Sequence, residues 1–508
     1  MDSEAKKLIA AFEAGKVSRR NFMRKAALMG VGFGSLSAFL AACGDNTATP
    51  AVTTAAAAAT TAASATTAAS ATTAASATTA SATTAASATT AASTATTAAA
   101  ATSAAAVKVS GAVEFWTRET FSNGVRQPLI NARLADFDKA NGTTTKAQFL
   151  IFQESVQKTQ AALAAGSPPE VGQQGPDVAL SFAAAKNLLP LDDVVASIGK
   201  DKFVELQKEA YVEFGGVTYG IPWYAETRVL MYHKDLLERA GVQPPTTWDE
   251  WSAAAKKLTT GDQYGFIFGL ESPGAGQFWI PLGTSAGGSV LDKDGKVAVN
   301  SQPFKDALTF AASFIKDKSM PEAAVTYKGA EVIKLFQLKK VAMMYTNGQT
   351  FEDIRGIDPN IAANIGAVNV PVKTKGDTTR SFLGGFHLFA FAKSKNPEGA
   401  KALIKYMYEN PWYSDYMMKT GGAALPVLKA SINTDFYQKD PIKKVMIDQL
   451  KTAVRYAGPV FGNVPYMGQA ESQAVFNNPV VNVITGKATV DQAVADCEAA
   501  LNKLKAAQ

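Results

Sequence analysis

The most constraining feature of this chain is a stretch of about 60 residues, 47–106, that consists almost entirely of Ala, Thr and Ser. The stretch contains no aromatic and no charged side chain, so it cannot bury a hydrophobic core. Its Thr and Ser residues also compete for the backbone hydrogen bonds that a helix would need. We therefore expect a disordered tether over 44–106, with a root-mean-square span on the order of 45 Å. Folding is then confined to residues 107–508.

Residues 1–43 have the order of an export signal, with basic residues, an apolar segment and small residues at its end. Arg19-Arg20 with Phe22 resembles a twin-arginine signal, and Leu40-Ala41-Ala42-Cys43 resembles a bacterial lipobox. The apolar segment, 26–42, is short for a membrane-spanning helix and contains three glycines. The resemblance implies that Cys43 is lipidated and that the exported protein is anchored at the outer face of the cytoplasmic membrane.

Charge and cysteine content exclude several classes of protein. Residues 1–43 contribute +4 of the formal charge of +6, because they contain seven Lys and Arg and three Asp and Glu. The remainder is nearly neutral, which argues against a nucleic-acid-binding face. The two cysteines, Cys43 and Cys497, and the two histidines offer no metal-ligand spacing, and we expect neither a metal nor another cofactor. Residues 107–508 contain no apolar run of the roughly 18–20 residues that a bilayer requires.

Strand and helix patterns alternate through 107–508, which predicts α/β layers around a mostly parallel sheet. Strands are predicted over Ala112–Trp116, Lys146–Phe152 and Val178–Ser181. Helix starts are indicated by a capping box, in which Thr247 is followed three residues later by Glu250, and by prolines at the first helical position. The last helix places Cys497 on its apolar face, as a small core residue.

The most specific motifs lie between Gly216 and Glu250. They are Gly216-Val217-Thr218-Tyr219-Gly220-Ile221-Pro222, then Leu230-Met231-Tyr232-His233-Lys234-Asp235, then Ala240-Gly241-Val242 and Pro245-Thr246-Thr247-Trp248-Asp249-Glu250. These motifs and their order resemble the extracellular solute-binding proteins of ABC importers, in the branch that includes maltose- and oligosaccharide-binding proteins. His233 stands where that family usually has Asn. The resemblance covers essentially all of 107–508.

The resemblance implies a two-lobed periplasmic-binding-protein fold of type II, with discontinuous α/β lobes, a hinge and a ligand cleft. Lobe 1 is expected at about 107–225 and 373–425, and lobe 2 at about 226–372 and 426–508. The chain is expected to cross between the lobes near Pro222–Arg228, Asn369–Lys373 and Leu425–Leu428. The implied function is capture of a mono- or oligosaccharide by lobe closure, followed by delivery to ABC permease subunits, with the binding protein acting as a monomer.

Sugars present flat C–H faces and a rim of hydroxyl groups, so aromatic rings and fixed polar groups are the expected contacts. Maltose-type relatives have a stacking aromatic where this chain has Glu471, Ser472 and Gln473. The sequence therefore leaves open a ligand other than maltose. Trp223 and Trp279 are flanked by Gly and Pro and fit either a cleft or a core position. The candidate ligand-binding residues are Trp116, Arg118, Glu119, Phe182, Trp223, Tyr224, Glu226, Trp279, Asn347, Gln349, Phe386 and Tyr466.

Three alternatives stay open at the level of sequence. Gly283-Thr284-Ser285-Ala286-Gly287 matches the nucleophile elbow of a hydrolase, with His387 as a partner, although a hairpin signal at Asp292–Gly295 follows where the elbow requires a helix. A binding protein for an anionic solute, such as glycerol phosphate or a uronate, would use converging arginines, for which the candidates are Arg118, Arg228 and Arg380. A surface lipoprotein with a purely structural role would need no cleft.

Overall fold

The structure is a computed structural model that describes residues 109–118, 124–205, 211–457 and 464–508. The export signal, the lipidation candidate Cys43, the tether and the candidate site residue Glu119 lie outside these residues. Among the described residues, no helix has both the length and the hydropathy needed to cross a membrane.

The described residues form eleven strands, numbered β1 to β11 in chain order. They are Gly111–Arg118, Thr143–Leu150, Val171–Gln174, Val212–Phe214, Val217–Glu226, Arg228–His233, Tyr264–Ile267, Val341–Asn347, Ile365–Val368, Gly384–Ala390 and Leu425–Pro426.

The same residues form nineteen α-helices, α1 to α19, and short 3-10 helices at Lys200–Lys202 and Glu322–Thr326. The α-helices are Arg126–Asn141, Phe152–Ala164, Pro176–Ala184, Asp192–Ile198, Lys234–Ala240, Trp248–Leu258, Gly274–Ser285, Gln302–Lys316, Gly329–Gln337, Gly348–Ile357, Pro359–Ala363, Pro397–Met407, Trp412–Lys419, Lys429–Ile432, Asp435–Gln438, Pro441–Leu450, Met467–Ser472, Asn478–Ile484 and Val490–Ala506.

The strands divide into two sheets, and each sheet is the centre of one lobe. In lobe 1 the strand order is β11-β5-β10-β3-β1-β2, with β4 paired to β5. In lobe 2 the order is β7-β8-β6-β9. The expected α/β fold with two lobes is therefore present.

Both sheets are mixed, so the prediction of a mostly parallel sheet is wrong. In lobe 1, β1 is parallel to β2 and β3, whereas β10 is antiparallel to β3 and to β5. The reason lies in the chain path. Strands β1, β3 and β5 run toward lobe 2, and β10 enters lobe 1 from lobe 2 and runs the opposite way between β3 and β5.

Local signals in the sequence placed two helix ends correctly, at Gly142 and Thr247, and assigned one helical segment to a strand. Gly142 ends α1 in a left-handed conformation with φ of 75°, and the capping box of Thr247 and Glu250 is present at the start of α6. The predicted strand Val178–Ser181 is wrong, because it lies in α3, where Pro176 occupies the first turn and presets the helical φ. The strand of this region is Val171–Gln174, which is buried along its whole length.

The chain passes from lobe 1 to lobe 2 at Thr227, between β5 and β6, and returns at Ser381. Both residues are fully buried. The Ser381 hydroxyl accepts from the backbone N–H of Arg228 at 2.8 Å and donates to its carbonyl at 2.7 Å, so the two crossings are bonded to each other. The return crossing lies later than the expected Asn369–Lys373, because this segment stays on lobe 2, where Thr247 bridges to Val372.

Each lobe has an aromatic core. In lobe 2, Trp251 is fully buried and packs against four phenylalanine rings at centroid distances of 4.8 to 5.8 Å, namely Phe266, Phe278, Phe310 and Phe314. In lobe 1, Trp223 is fully buried among Tyr408, Tyr413 and Tyr416. Cys497 is buried in α19, as the sequence predicts.

We expect Trp251→Ala to lower the free energy of unfolding by about 3–5 kcal/mol, because the lost ring leaves a cavity among four phenylalanines. Leu338→Ala is the matched control, since Leu338 is 54% exposed, and its effect should stay within about 0.5 kcal/mol. Urea denaturation followed by circular dichroism measures both. Equal effects of the two substitutions would contradict this packing.

Candidate ligand-binding cleft

A cleft with a volume of about 720 Å³ lies between the two sheets at the crossings. This volume is within the usual range for small-molecule sites, about 300–1,000 Å³. Both lobes contribute to its lining. The residues with side-chain functional groups or rings are Arg118, Gln157, Gln160, Gln174, Glu226, Arg228, Glu271, Ser272, Gln277, Tyr327, Phe382, Phe386, Arg455, Glu471 and Ser472.

The lobe 1 wall is built from the carboxyl ends of three strands. Arg118 ends β1, Gln174 ends β3 and Glu226 ends β5, and all three line the cleft. Gln174 is 2% exposed, and its side-chain oxygen has no hydrogen-bond partner in the protein. A buried amide oxygen without a partner is energetically unfavourable, so Gln174 is suited to pair with a polar group of a ligand.

Arg118 is a buried cation at the cleft surface. Its guanidinium lies over the Phe386 ring at 4.2 Å from the ring centroid. Burial lowers the Arg118 pKa to about 9, and the nearby Tyr224 and Glu226 oppose this shift. The guanidinium therefore keeps its positive charge at neutral pH. A cation–π contact with the Phe386 ring stabilises that charge in place of bulk water.

Hydrogen bonds fix the orientation of Arg228 and Glu226 where β5 meets β6. The Arg228 Nη1 lies 3.5 Å from the Glu226 Oε2, and the Arg228 Nη2 donates to the Gln277 Oε1 at 2.6 Å. Asn347 donates to the same Glu226 oxygen at 3.2 Å. Since Gln277 belongs to α7 of lobe 2, this network links the crossing to the lobe 2 wall.

Arg455 and Asp177 form a buried ion pair beside the cleft. Their side chains are 5% and 6% exposed. The Arg455 guanidinium donates to both carboxylate oxygens of Asp177, which lies in the first turn of α3. A fork-like pair of this kind has a fixed geometry, and it neutralises both charges within the protein.

Glu471, in α17, is a partly buried carboxyl group of the lining. The Tyr456 hydroxyl donates to its Oε1 at 3.3 Å. Burial, and after it the charge of the adjacent Asp177 carboxylate, raise the Glu471 pKa to about 7, whereas Arg455 acts in the opposite direction. This carboxyl group is therefore partly protonated near neutral pH.

The aromatic rings of the lining offer little free surface. Phe382 is 3% exposed and Phe386 is 8% exposed. Arg228 and Arg455 lie 5.6 and 5.8 Å from the Phe382 centroid, and Arg118 covers Phe386. Among the described lining residues, Tyr327 is the remaining aromatic. Polar groups therefore dominate the cleft.

Three residues named from the sequence line this cleft, and two lie directly behind it. Arg118, Glu226 and Phe386 are in the lining. Asn347 bonds Glu226, as described above. Tyr224 is buried against Phe386, with ring centroids 5.4 Å apart.

Three other candidates are core residues. Phe182 packs against Phe389 in a second hydrophobic cluster of lobe 1. Trp223 lies in the tyrosine cluster described above. Trp279 is fully buried in α7 and donates its ring N–H to the Phe476 carbonyl at 2.6 Å. The prediction that these rings contact a ligand is wrong, because packing against distant parts of the chain covers them.

The remaining described candidates point elsewhere or lie beneath α17. Trp116 donates its ring N–H to Glu114, toward the amino end of β1. Gln349 donates to Asp353 within α10. Neither belongs to the cleft lining. Tyr466 is 5% exposed at the start of α17, and its hydroxyl has no hydrogen-bond partner in the protein.

The hydrolase interpretation of Ser285 is wrong on local structure. Ser285 is the last residue of α7, and its hydroxyl donates to the Thr378 carbonyl at 2.8 Å. A nucleophile elbow needs a strand before the serine and a helix after it. His387 is buried in β10, opposite Gln174 and Pro222. Within the described ranges, no cluster of three metal-ligating side chains is present.

Sequence reasoning missed Gln174, Gln277 and Arg455, and it noted Glu471 only as a departure from a relative's pattern. Gln174 had a usable signal, because it is the last residue of a short buried strand, which was predicted too late in the chain. Arg455 had none, since its partner Asp177 is 278 residues away. Arg380, a candidate for anion binding, bonds the Thr452 carbonyl and is not in the lining.

Comparisons of the sequence and of the structure with known proteins both find similarity to solute-binding proteins. A sequence model of the family described as bacterial extracellular solute-binding protein matches residues 122–413, which is more than half of the chain. A putative binding protein of Brucella abortus is 27% identical over 364 residues, covering 70% of this chain and 85% of the relative. The galactooligosaccharide-binding protein of Bacillus subtilis is 25% identical over 402 residues, covering 77% of this chain and 89% of the relative.

A similar solved structure is the GacH receptor of Streptomyces glaucescens, determined without ligand and in complex with acarbose. It matches with a TM-score of 0.68 and 23% identity, covering 78% of this chain and 98% of that chain. At this identity the match establishes the fold, and it agrees with the two-lobed arrangement described above.

We expect Arg455→Met to lower the free energy of unfolding by about 3–5 kcal/mol, because Asp177 would be left buried without a counter-charge. Lys401→Met is the control, since it breaks the more exposed pair with Asp193, whose side chain is 64% exposed, and should cost less than about 1 kcal/mol. Chemical denaturation at pH 7 distinguishes the two. A small effect at Arg455 would mean that the pair is solvated.

Proposed function

The chain belongs to the family of bacterial extracellular solute-binding proteins, and we propose on this basis that its cleft captures a neutral carbohydrate for an ABC importer. The observation that carries the proposal is a polar cleft to which both lobes contribute, with the unpartnered Gln174 oxygen on one wall and Gln277 on the other.

The polar groups of the cleft match the chemistry of hydroxyl groups. A sugar hydroxyl both donates and accepts hydrogen bonds, and the amides of Gln157, Gln160, Gln174 and Gln277 can do the same. Fixed charges at the edge add stronger, charge-assisted bonds. The networks around Arg228 and Arg455 hold these groups in place before the ligand arrives, which lowers the entropy lost on binding.

The balance of charge favours a neutral ligand. Arg228 is beside Glu226, and Arg455 is paired with Asp177. Glu271 is beside Lys328 at 3.2 Å. Arg228, Arg455 and Lys328 are therefore each matched by a carboxylate in or beside the cleft lining, and an anionic ligand would meet the acidic groups as well as the basic ones.

Two of the proteins to which this chain is similar support a sugar ligand. One is named as a galactooligosaccharide-binding protein, and the other was solved in complex with acarbose. Glu471 stands where maltose-type relatives have a stacking aromatic, and the aromatic rings of the lining have little exposed surface. Both observations favour a ligand that is bound through its hydroxyl groups and not through ring stacking. We expect lobe closure to accompany capture, since only the closed arrangement lets both walls contact one ligand.

One observation favours a second candidate, a binding protein for an anionic solute. Arg118 is a buried cation at the cleft surface with its charge over a ring, and a phosphate or carboxylate of a ligand would pair with it. Glycerol phosphates and uronates are the candidate solutes of this kind.

The experiment that tests the proposal is a thermal-shift screen of the full chain. The panel consists of maltose, galactobiose and ribitol as neutral solutes, acarbose, which carries a basic amine, and galacturonate and glycerol 3-phosphate as acidic solutes. A ligand at 100 times its Kd stabilises the native state by about 2.7 kcal/mol. We expect the melting temperature to rise with a neutral sugar. A rise with the acidic solutes alone would favour the second candidate, and hydrolysis of the sugar would contradict a binding function.

For the sugar with the largest shift, we expect Gln174→Ala to weaken binding about five- to tenfold, which corresponds to one lost hydrogen bond. Gln349→Ala is the matched control, because Gln349 is the same residue type outside the cleft. Isothermal titration calorimetry measures both Kd values. Unchanged affinity in Gln174→Ala would remove this residue from the site.

We also propose that the exported protein is a monomer anchored through a lipid on Cys43, with the Ala/Thr/Ser-rich tether between the lipid and the lobes. In bacterial cells, Cys43→Ala should move the protein from the membrane fraction to the soluble fraction, because a lipid anchor would be lost. Cys497→Ala removes the other cysteine and should leave the distribution unchanged. Membrane association of Cys43→Ala equal to that of the unaltered protein would contradict the anchor.

A further inference from the structure

Glu471 is a cleft residue whose surroundings differ from those of the other lining carboxylates. Glu226 lies beside Arg228, and Glu271 lies beside Lys328. Arg455 is a cation whose charge lowers the Glu471 pKa, but both carboxylate oxygens of Asp177 already accept from that guanidinium. Glu471 therefore has Asp177 as a carboxylate neighbour and shares Arg455 with it, and the other cation that interacts with it is Arg118, at the end of β1.

Several elements of the fold contribute a group to the environment of Glu471. Asp177 comes from α3, Arg455 and Tyr456 come from the segment that follows α16, and Gln277 comes from α7. Arg118, at the end of β1, also interacts electrostatically with Glu471. The short distance between α17 and α3 is fixed by Gly468, where a Cβ would lie 2.5 Å from the Asp177 carbonyl oxygen.

This arrangement makes the neutral form of Glu471 accessible at physiological pH. Burial is the larger cause of its raised pKa, of about 7, and repulsion by Asp177 is the second. A carboxylate can only accept hydrogen bonds, whereas a carboxylic acid also donates one. The protonated side chain can therefore donate to a ligand oxygen while its other oxygen accepts.

We propose that Glu471 contacts the ligand as a neutral carboxylic acid, so that capture of a neutral sugar is linked to uptake of one proton by this side chain. The inference rests on the proposed carbohydrate-binding function. The proton comes from the solvent, and it converts the ionised part of the Glu471 population to the acid.

The direction of the linkage follows from burial. Lobe closure over a neutral ligand removes the remaining water from Glu471 and adds no positive charge, which raises its pKa above the value of the free protein. Affinity should then be constant below the pKa of the free protein and fall as the pH rises through it. With about 7 for the free protein, we expect binding to be roughly five- to tenfold weaker at pH 8 than at pH 6.

Whether the affinity rises or falls with pH also indicates the charge of the ligand. A cationic ligand, such as an amino sugar, would stabilise the ionised carboxylate and bind more tightly as the pH rises. An anionic ligand would bind more weakly at high pH as well, but the screen described above identifies it directly. The neutral sugars of that panel are therefore the probes for this inference.

Isothermal titration calorimetry tests the inference on the full chain. The probe is whichever of the neutral solutes maltose, galactobiose or ribitol gives the largest thermal shift, titrated at pH 6, 7 and 8. At pH 7.5 the titration is repeated in phosphate and in Tris, whose ionisation enthalpies differ. The difference in observed enthalpy gives the number of protons taken up, which we expect to be about half a proton or more per ligand. This measurement uses the unaltered protein and does not depend on a variant that folds.

The matched variants are Glu471→Gln, which is neutral at every pH, and Glu238→Gln, which removes an exposed carboxylate from α5. We expect Glu471→Gln to abolish the pH dependence and the proton uptake, and Glu238→Gln to retain both. Sugar binding with no pH dependence and no proton uptake in the unaltered protein would overturn this inference alone. Persistence of the uptake in Glu471→Gln would also overturn it. Failure of all panel sugars to bind would overturn the proposed function and this inference together.

Discussion

The hydrogen bonds between Thr227, Arg228 and Ser381 are the interaction on which the rest of this structure depends. They join the two chain crossings where β5 becomes β6 and where the chain returns to β10. Because a buried hydroxyl satisfies both backbone groups of Arg228, the two sheets meet at a fixed point where the backbone polar groups of that residue are paired. The cleft exists because the walls diverge from this point, and the strand ends that carry Arg118, Gln174 and Glu226 face it.

The pairing of charges within the cleft walls follows from the same geometry. Groups from both lobes converge where the strands end, and many of them are charged, so each charge must find a partner within the wall. Arg228 finds Glu226, and Arg455 finds Asp177. The partnering leaves a cleft with fixed dipoles and little net charge. Glu471 shares Arg455 with Asp177, and burial together with the Asp177 charge raises the pKa of this carboxyl group to about 7.

The sequence predicted the parts of the structure that depend on local chemistry. The capping box at Thr247 and the left-handed Gly142 were placed correctly, because each is decided within a few residues. The roles of Trp223 and Trp279 were not predictable in this way. A tryptophan near Gly and Pro looks the same whether it faces a ligand or a core, and distant residues such as Phe476, 197 positions away, decide between the two. The Asp177–Arg455 pair is likewise a product of the tertiary fold.

The central claim is that a neutral sugar binds between the lobes and contacts both walls. A crystal structure of the full chain with the tightest-binding sugar of the panel tests it most directly. The account predicts ligand oxygens within hydrogen-bonding distance, about 2.7–3.2 Å, of Gln174 in lobe 1 and of Gln277 in lobe 2. A sugar that contacts one lobe alone, or that occupies the surface cavity beside Lys202, Lys405 and Lys429, would contradict the account.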